Sequence, residues 1–162
     1  NGEGYKKIQK NDGLNYGAGV TLTPAKGFQV RLYGGINEGA DHSQEDKVNL
    51  AAFAGYKGNR FSVGGEYNKM YNASNKKDAD QSGYSIFTTV KLAKNTELYA
   101  RFDDLSSKDD WNIAKDEQTA IIGTQFKLGK YVKLAPNFRI ANPKAAGADN
   151  KCYAFINFYF GL

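Results

Sequence analysis

From position 151 to position 162 the chain alternates with a period of two. Cys152, Ala154, Ile156, Phe158, Phe160 and Leu162 fall on one side, and Lys151, Tyr153, Phe155, Asn157, Tyr159 and Gly161 on the other. Successive side chains of a strand point to opposite faces, so this segment is predicted as a strand with one wholly apolar face. A bare aromatic strand needs both of its edges paired, or it templates aggregation. That need narrows the possible folds more than any other feature of the 162 residues. Closing a sheet into a barrel is one way to meet it.

The rest of the chain supplies matching staves. Alternation predicts further strands over 14–22, 28–37, 48–56, 60–68, 84–92, 97–103, 119–128 and 132–140. Their apolar sides read, for example, Tyr16-Ala18-Val20-Leu22, Val48-Leu50-Ala52-Ala54-Tyr56 and Ala120-Ile122-Thr124-Phe126-Leu128. In the seventh of these strands Ile121 also falls on the polar side. Short turns are expected at 24–26, at Gly58-Asn59, at 94–96 and at 129–131, and they alternate with long polar loops near 38–46, 72–82, 106–116 and 142–150. The faces agree with the turns. An even-length turn flips the parity of the apolar side, as from Tyr56 to Phe61, and the odd-length turns keep it.

Mean hydropathy is −0.61, and no run approaches the roughly 20 apolar residues of a spanning helix. Alternating strands average out to polar, so a membrane barrel of strands remains open. Abundant Gly (18), Tyr (11) and Phe (10) suit such a barrel. The net charge of +5 is spread along the chain, which argues against a compact nucleic-acid surface and for an anionic solute or path. Strands of about ten residues, with turns alternately short and long, are the rhythm of outer-membrane barrels. Tyr16, Tyr56, Tyr67 and Tyr84, near strand ends on the apolar side, would form the aromatic girdle. A lipocalin-like barrel would invert the polarity, with its apolar side inward. The expected fold is all-β, an antiparallel up-and-down transmembrane β-barrel with about nine strands in this chain. Residues 1–13 are a polar N-terminal loop and 14–162 the barrel strands.

The hairpin rhythm, the run Tyr131-Val132-Lys133-Leu134-Ala135-Pro136-Asn137-Phe138-Arg139 after a short turn, and the closing aromatic strand resemble the C-terminal part of a Gram-negative outer-membrane porin. The resemblance spans the chain from Leu14 and lies in pattern rather than in a motif. It implies short periplasmic turns, long extracellular loops and a place in the bacterial outer membrane. Lipid bilayer, lipopolysaccharide, small hydrophilic or anionic solutes and other copies of the chain are the implied partners; nucleic acid is not among them. In that family the terminal strand often ends on Phe and serves as an assembly signal, whereas here Gly161 and Leu162 follow Phe160.

Nine strands are an awkward number, because single-chain bacterial barrels have even counts with both ends periplasmic. Either strands precede this chain in a longer protein, or the first strand is misplaced and the barrel has eight. The first reading is preferred here. The choice matters, since eight strands enclose a filled interior and 16 to 18 an aqueous channel.

The candidate pore-lining residues are Arg31, Arg60, Glu66, Lys91, Glu97, Arg101, Asp103, Lys127, Lys133 and Arg139, with Lys57 and Lys151 on the same side. Excess positive charge along a water-filled path attracts anions. Lys127, Lys133 and Arg139 would form a basic ladder. Against this stands simple interior pairing, such as Arg101 with Glu97 or Asp103. The expected function is passive diffusion of small hydrophilic solutes with a weak preference for anions. The alternative is a small closed barrel that binds ligands or adheres through its long loops. No covalent step, cofactor or metal is implied. His42, beside Asp41, Glu45 and Asp46, is the one group that would revive a hydrolase, and a solvated loop histidine is the plainer account. Cys152 is expected to face lipid, Pro136 to mark a bulge or strand junction, and Trp111 to pack a loop, anchor at headgroups or touch a ligand.

Overall fold

The computed structural model describes residues 13–39 and 44–161. The expectations for residues 1–12, Asp41, His42 and Leu162 lie outside them. Nine strands form one antiparallel sheet in sequence order. They are β1 (Asn15–Ala25), β2 (Phe28–Asn37), β3 (Lys47–Lys57), β4 (Phe61–Tyr71), β5 (Gln81–Ala93), β6 (Thr96–Ser107), β7 (Glu117–Lys127), β8 (Val132–Pro143) and β9 (Lys151–Phe160). All nine predicted strands are present. Several run further toward the long loops than alternation alone indicates, β4 to Tyr71 and β6 to Ser107 among them. No helix in the described residues is long and apolar enough to cross a membrane, a statement that does not bear on strands.

Three turn and strand details differ from expectation. The β1–β2 and β5–β6 connections are two-residue turns, Lys26-Gly27 and Lys94-Asn95, each beside a register shift. The shifts fall between Leu22 and Ala25 and between Lys91 and Ala93. A two-residue turn plus one extra bulge residue keeps parity as a three-residue turn would, so the apolar side stays on one face across both hairpins. In the β3–β4 hairpin the Gly58 N–H donates to the Phe61 carbonyl at 2.8 Å, so Asn59 and Arg60 form the turn instead of Gly58-Asn59. Pro136 makes no bulge: Gly123 faces Asn137 and Phe126 faces Leu134 in one unbroken register. The ladder to β7 merely skips Thr124 and Gln125, as a residue without an N–H allows.

The two faces differ as the pattern requires. Tracing partners across the sheet, Phe28, Tyr56, Val63, Thr88, Ala100, Ile122, Phe138 and Ala154 share one row of the apolar face. That face is bare: Phe138 is 66%, Ile156 65% and Phe160 71% exposed. Its charged strand residues, Lys69 and Asp104, both lie toward the long-loop end. On the opposite face Gly64, Gly123 and Asn137 are buried beneath their neighbours. Among the described residues β1 pairs with β2 alone and β9 with β8 alone, so each keeps one edge without a described partner strand.

Candidate functional site

The polar face gathers the residues proposed to line a path. Thr21, Arg31, Phe53, Glu66, Ser85, Asp103, Thr119, Ala141 and Lys151 form one row across it, because each is the ladder partner of the next. The next row toward the short turns carries Phe87, Arg101, Ile121, Arg139 and Tyr153. Lys91, Glu97, Lys127 and Lys133 lie nearer those turns, and Arg60 is in the β3–β4 turn itself. A cavity of about 700 Å³ opens on this face, lined from β2 through β8 by Tyr33, Asn68, Arg101, Asp103, Thr119 and Arg139 among others. Through the middle of β3 and β7 the positions of this face are less exposed than those of the apolar face, as on the concave side of a curved sheet.

Local bonds decide which charges remain available. Arg101 Nε reaches both carboxylate oxygens of Asp103 at 2.8 Å, and its guanidinium also donates to Ser85 Oγ. Ser85 donates in turn to Asp103. Arg101 is therefore paired with Asp103; Glu97 instead accepts from Gln125 Nε2 at 3.4 Å. Arg31 donates to Thr21 Oγ1 at 3.1 Å, and Asn68 to Glu66 Oε1 at 2.7 Å. Lys127 and Lys133 are direct cross-strand partners. Arg139, six residues further along β8, is about 20 Å from Lys133 along an extended strand. Its guanidinium lies over the Phe155 ring, 5.4 Å from the centroid. The three cations thus form a lysine pair and a separate arginine rather than a continuous ladder.

Sequence reasoning missed the aromatic floor of this face. Phe53, Phe87 and Tyr99 alternate with the charged residues and lie over glycines of adjacent strands. A Cβ on Gly123 would sit 2.6 Å from the Tyr99 ring, and one on Gly64 2.8 Å from Phe87. The available signal was the coincidence of Gly and aromatic residues on the same polar parity.

At the long-loop end the connections are bonded to one another. Asn75 Nδ2 donates to the carbonyls of Asn37 and Glu45, and Asn72 Nδ2 to that of Asp46. The Trp111 indole N–H donates to the Asp80 carbonyl at 2.8 Å, which makes Trp111 a loop-packing residue. Asp116, 1% exposed, accepts from the Ser107 N–H at 2.7 Å and from its hydroxyl. Its carbonyl accepts from the Lys144 N–H, and Lys144 Nζ reaches Asp104 at 2.7 Å. Each long loop is thereby tied to the next, in a collar around one end of the sheet.

Among the described residues no group of three or more His, Cys, Asp and Glu is placed to hold a metal ion. Cys152 is exposed on the apolar face, opposite Ile140. No protein-family model matches the chain, and no curated protein matches it in sequence. Functional meaning has to come from the two faces themselves.

Proposed function

We propose that this chain is part of the wall of an outer-membrane β-barrel of the porin kind, conducting small hydrophilic solutes with a weak preference for anions. The observation behind it is the unbroken apolar face. Nine strands about 4.8 Å apart, each with some 25 Å of apolar length, present on the order of 1,000 Å² of contiguous apolar surface. Soluble monomers rarely expose more than a few hundred Å² in one patch. Acyl chains cover such a face without cost, and the charged concave face then borders water. Tyr16, Tyr56, Tyr67 and Tyr84 stand at the margins of the apolar band, where an aromatic girdle would be.

The outer edges of β1 and β9, without a partner strand among the described residues, fit a barrel completed by further strands. β1 and β9 run in the same direction, both toward the short turns. An all-antiparallel closure therefore needs an odd number of additional strands. Sixteen or eighteen in total would leave a lumen wide enough for water. Transport would involve no covalent step and no cofactor: width excludes large solutes, and the field of the inward Lys and Arg favours anions. Lipopolysaccharide and other copies of the chain are the further partners of this reading.

The collar of interlocked loops supports a second reading, a ligand-binding or adhesive module in which the loops are the working surface. Bilayer recording separates the two. Stable ohmic steps with reversal potentials on the chloride side are expected of the channel. Silent bilayers, with ligand binding that loop substitutions abolish, would favour the module.

A further inference from the structure

Charge at the short-turn end of the concave face is almost all of one sign. Lys57, Lys91, Lys127 and Lys133 occupy the last rows of β3, β5, β7 and β8. Lys26, Arg60, Lys94 and Lys130 lie in the four turns beyond them. The acid among them is Glu97, cross-strand from Lys91. Of the ion pairs among the described residues, Arg101–Asp103 lies at the middle of β6 and Lys144–Asp104 toward the other end, so neither reaches the short-turn rim.

Folding does not require this arrangement. Like charges directly opposite in a ladder are destabilising, and Lys127 faces Lys133 with no carboxylate in contact. Aromatic rings offset part of that repulsion. Lys133 Nζ lies 5.3 Å from the Tyr159 centroid and Lys130 Nζ 4.9 Å from that of Tyr131. A ring attracts a cation without neutralising it, so the field of the rim remains open to an external anion.

We propose that the short-turn rim is a binding surface for small multivalent phosphate anions. A monovalent anion neutralises one ammonium, whereas an oligophosphate spans several. It bridges the Lys127–Lys133 pair and relieves the repulsion built into the ladder. The proposal rests on the sheet alone and stands whether or not the chain conducts. In a conducting barrel the same rim would collect anions at one mouth and make the current rectify.

Calorimetric titration of the full chain in detergent micelles with inorganic tripolyphosphate at low salt tests it. Saturable binding is expected, weakened at least tenfold by the double variant K127Q/K133Q and several-fold by K26Q/K94Q. K47Q/K151Q, at the opposite end of the same face, should bind as the unaltered chain does. Because K26Q/K94Q alters only turn residues, it keeps the test decisive if the ladder variant does not fold. The absence of saturable binding, binding that neither rim variant weakens, or an equal loss in K47Q/K151Q would overturn the proposal.

Discussion

Phe53 and Phe87 lie parallel across β3, β4 and β5, with centroids 6.2 Å apart and planes 9° from one another, over the backbone of Gly64. Neither ring belongs on a charged face by polarity. Both are there because glycines at Gly55 and Gly64 leave the sheet without side chains to cover it, and stacked rings fill that space. A valine at Gly64 would drive its methyls into both rings. Gly64→Val is expected to lower stability by about 1–3 kcal/mol through overpacking. The shift in urea midpoint of the micelle-bound chain measures it, and Gly65→Val, on the opposite face, where an added Cβ meets only the Ser85 carbonyl at an ordinary 3.7 Å, should be far milder.

Asp116 holds the collar together more than its place in a loop implies. Its buried carboxylate binds both the N–H and the hydroxyl of Ser107. Asp116→Ala removes hydrogen bonds to a charged acceptor, each in the range of about 1.5–3 kcal/mol. The 108–116 connection should then become sensitive to protease while the strands stay protected. Trp111→Phe, which gives up only the bond to Asp80, should open the same loop less, by about 1 kcal/mol. Limited proteolysis with mass mapping ranks the two.

The Arg101–Asp103 pair separates stability from selectivity. Its side chains are 49% and 30% exposed, and half-exposed ion pairs contribute about 1 kcal/mol or less. Asp103→Asn should therefore barely move the unfolding midpoint. It frees Arg101, so reversal potentials in a salt gradient should shift toward anions. Glutamate at Lys127, Lys133 and Arg139 together should shift them toward cations, and unchanged selectivity would remove those three from the path.

The sheet is legible because a period of two is imposed wherever the two faces meet different surroundings, and every strand keeps it over most of its length. Where both faces turn polar, the signal fades. Asn68, Lys69, Met70 and Tyr71 do not alternate cleanly, and ladder pairing carries β4 through them regardless. Bulges beside the 26–27 and 94–95 turns mimicked odd-length turns, since parity alone cannot distinguish the two. The basic ladder is legible only in part for a related reason: parity assigns a face but not a height, so it unites Lys127 and Lys133, which pair, with Arg139, which lies six residues further along β8. The loop collar left no sequence trace, because Asn72, Asn75 and Asp116 act through carbonyls and N–H groups that any residue has.

Site-directed spin labelling in proteoliposomes tests most directly which face meets lipid. In a Cys152→Ala background, single cysteines replace Ile122, on the apolar face, and Thr119, on the polar one, and the labels are probed with oxygen and a water-soluble nickel relaxant. The account predicts high oxygen and low nickel accessibility at 122 and the reverse at 119. Nickel reaching 122 while 119 lies in an oxygen-rich, nickel-poor environment would contradict it.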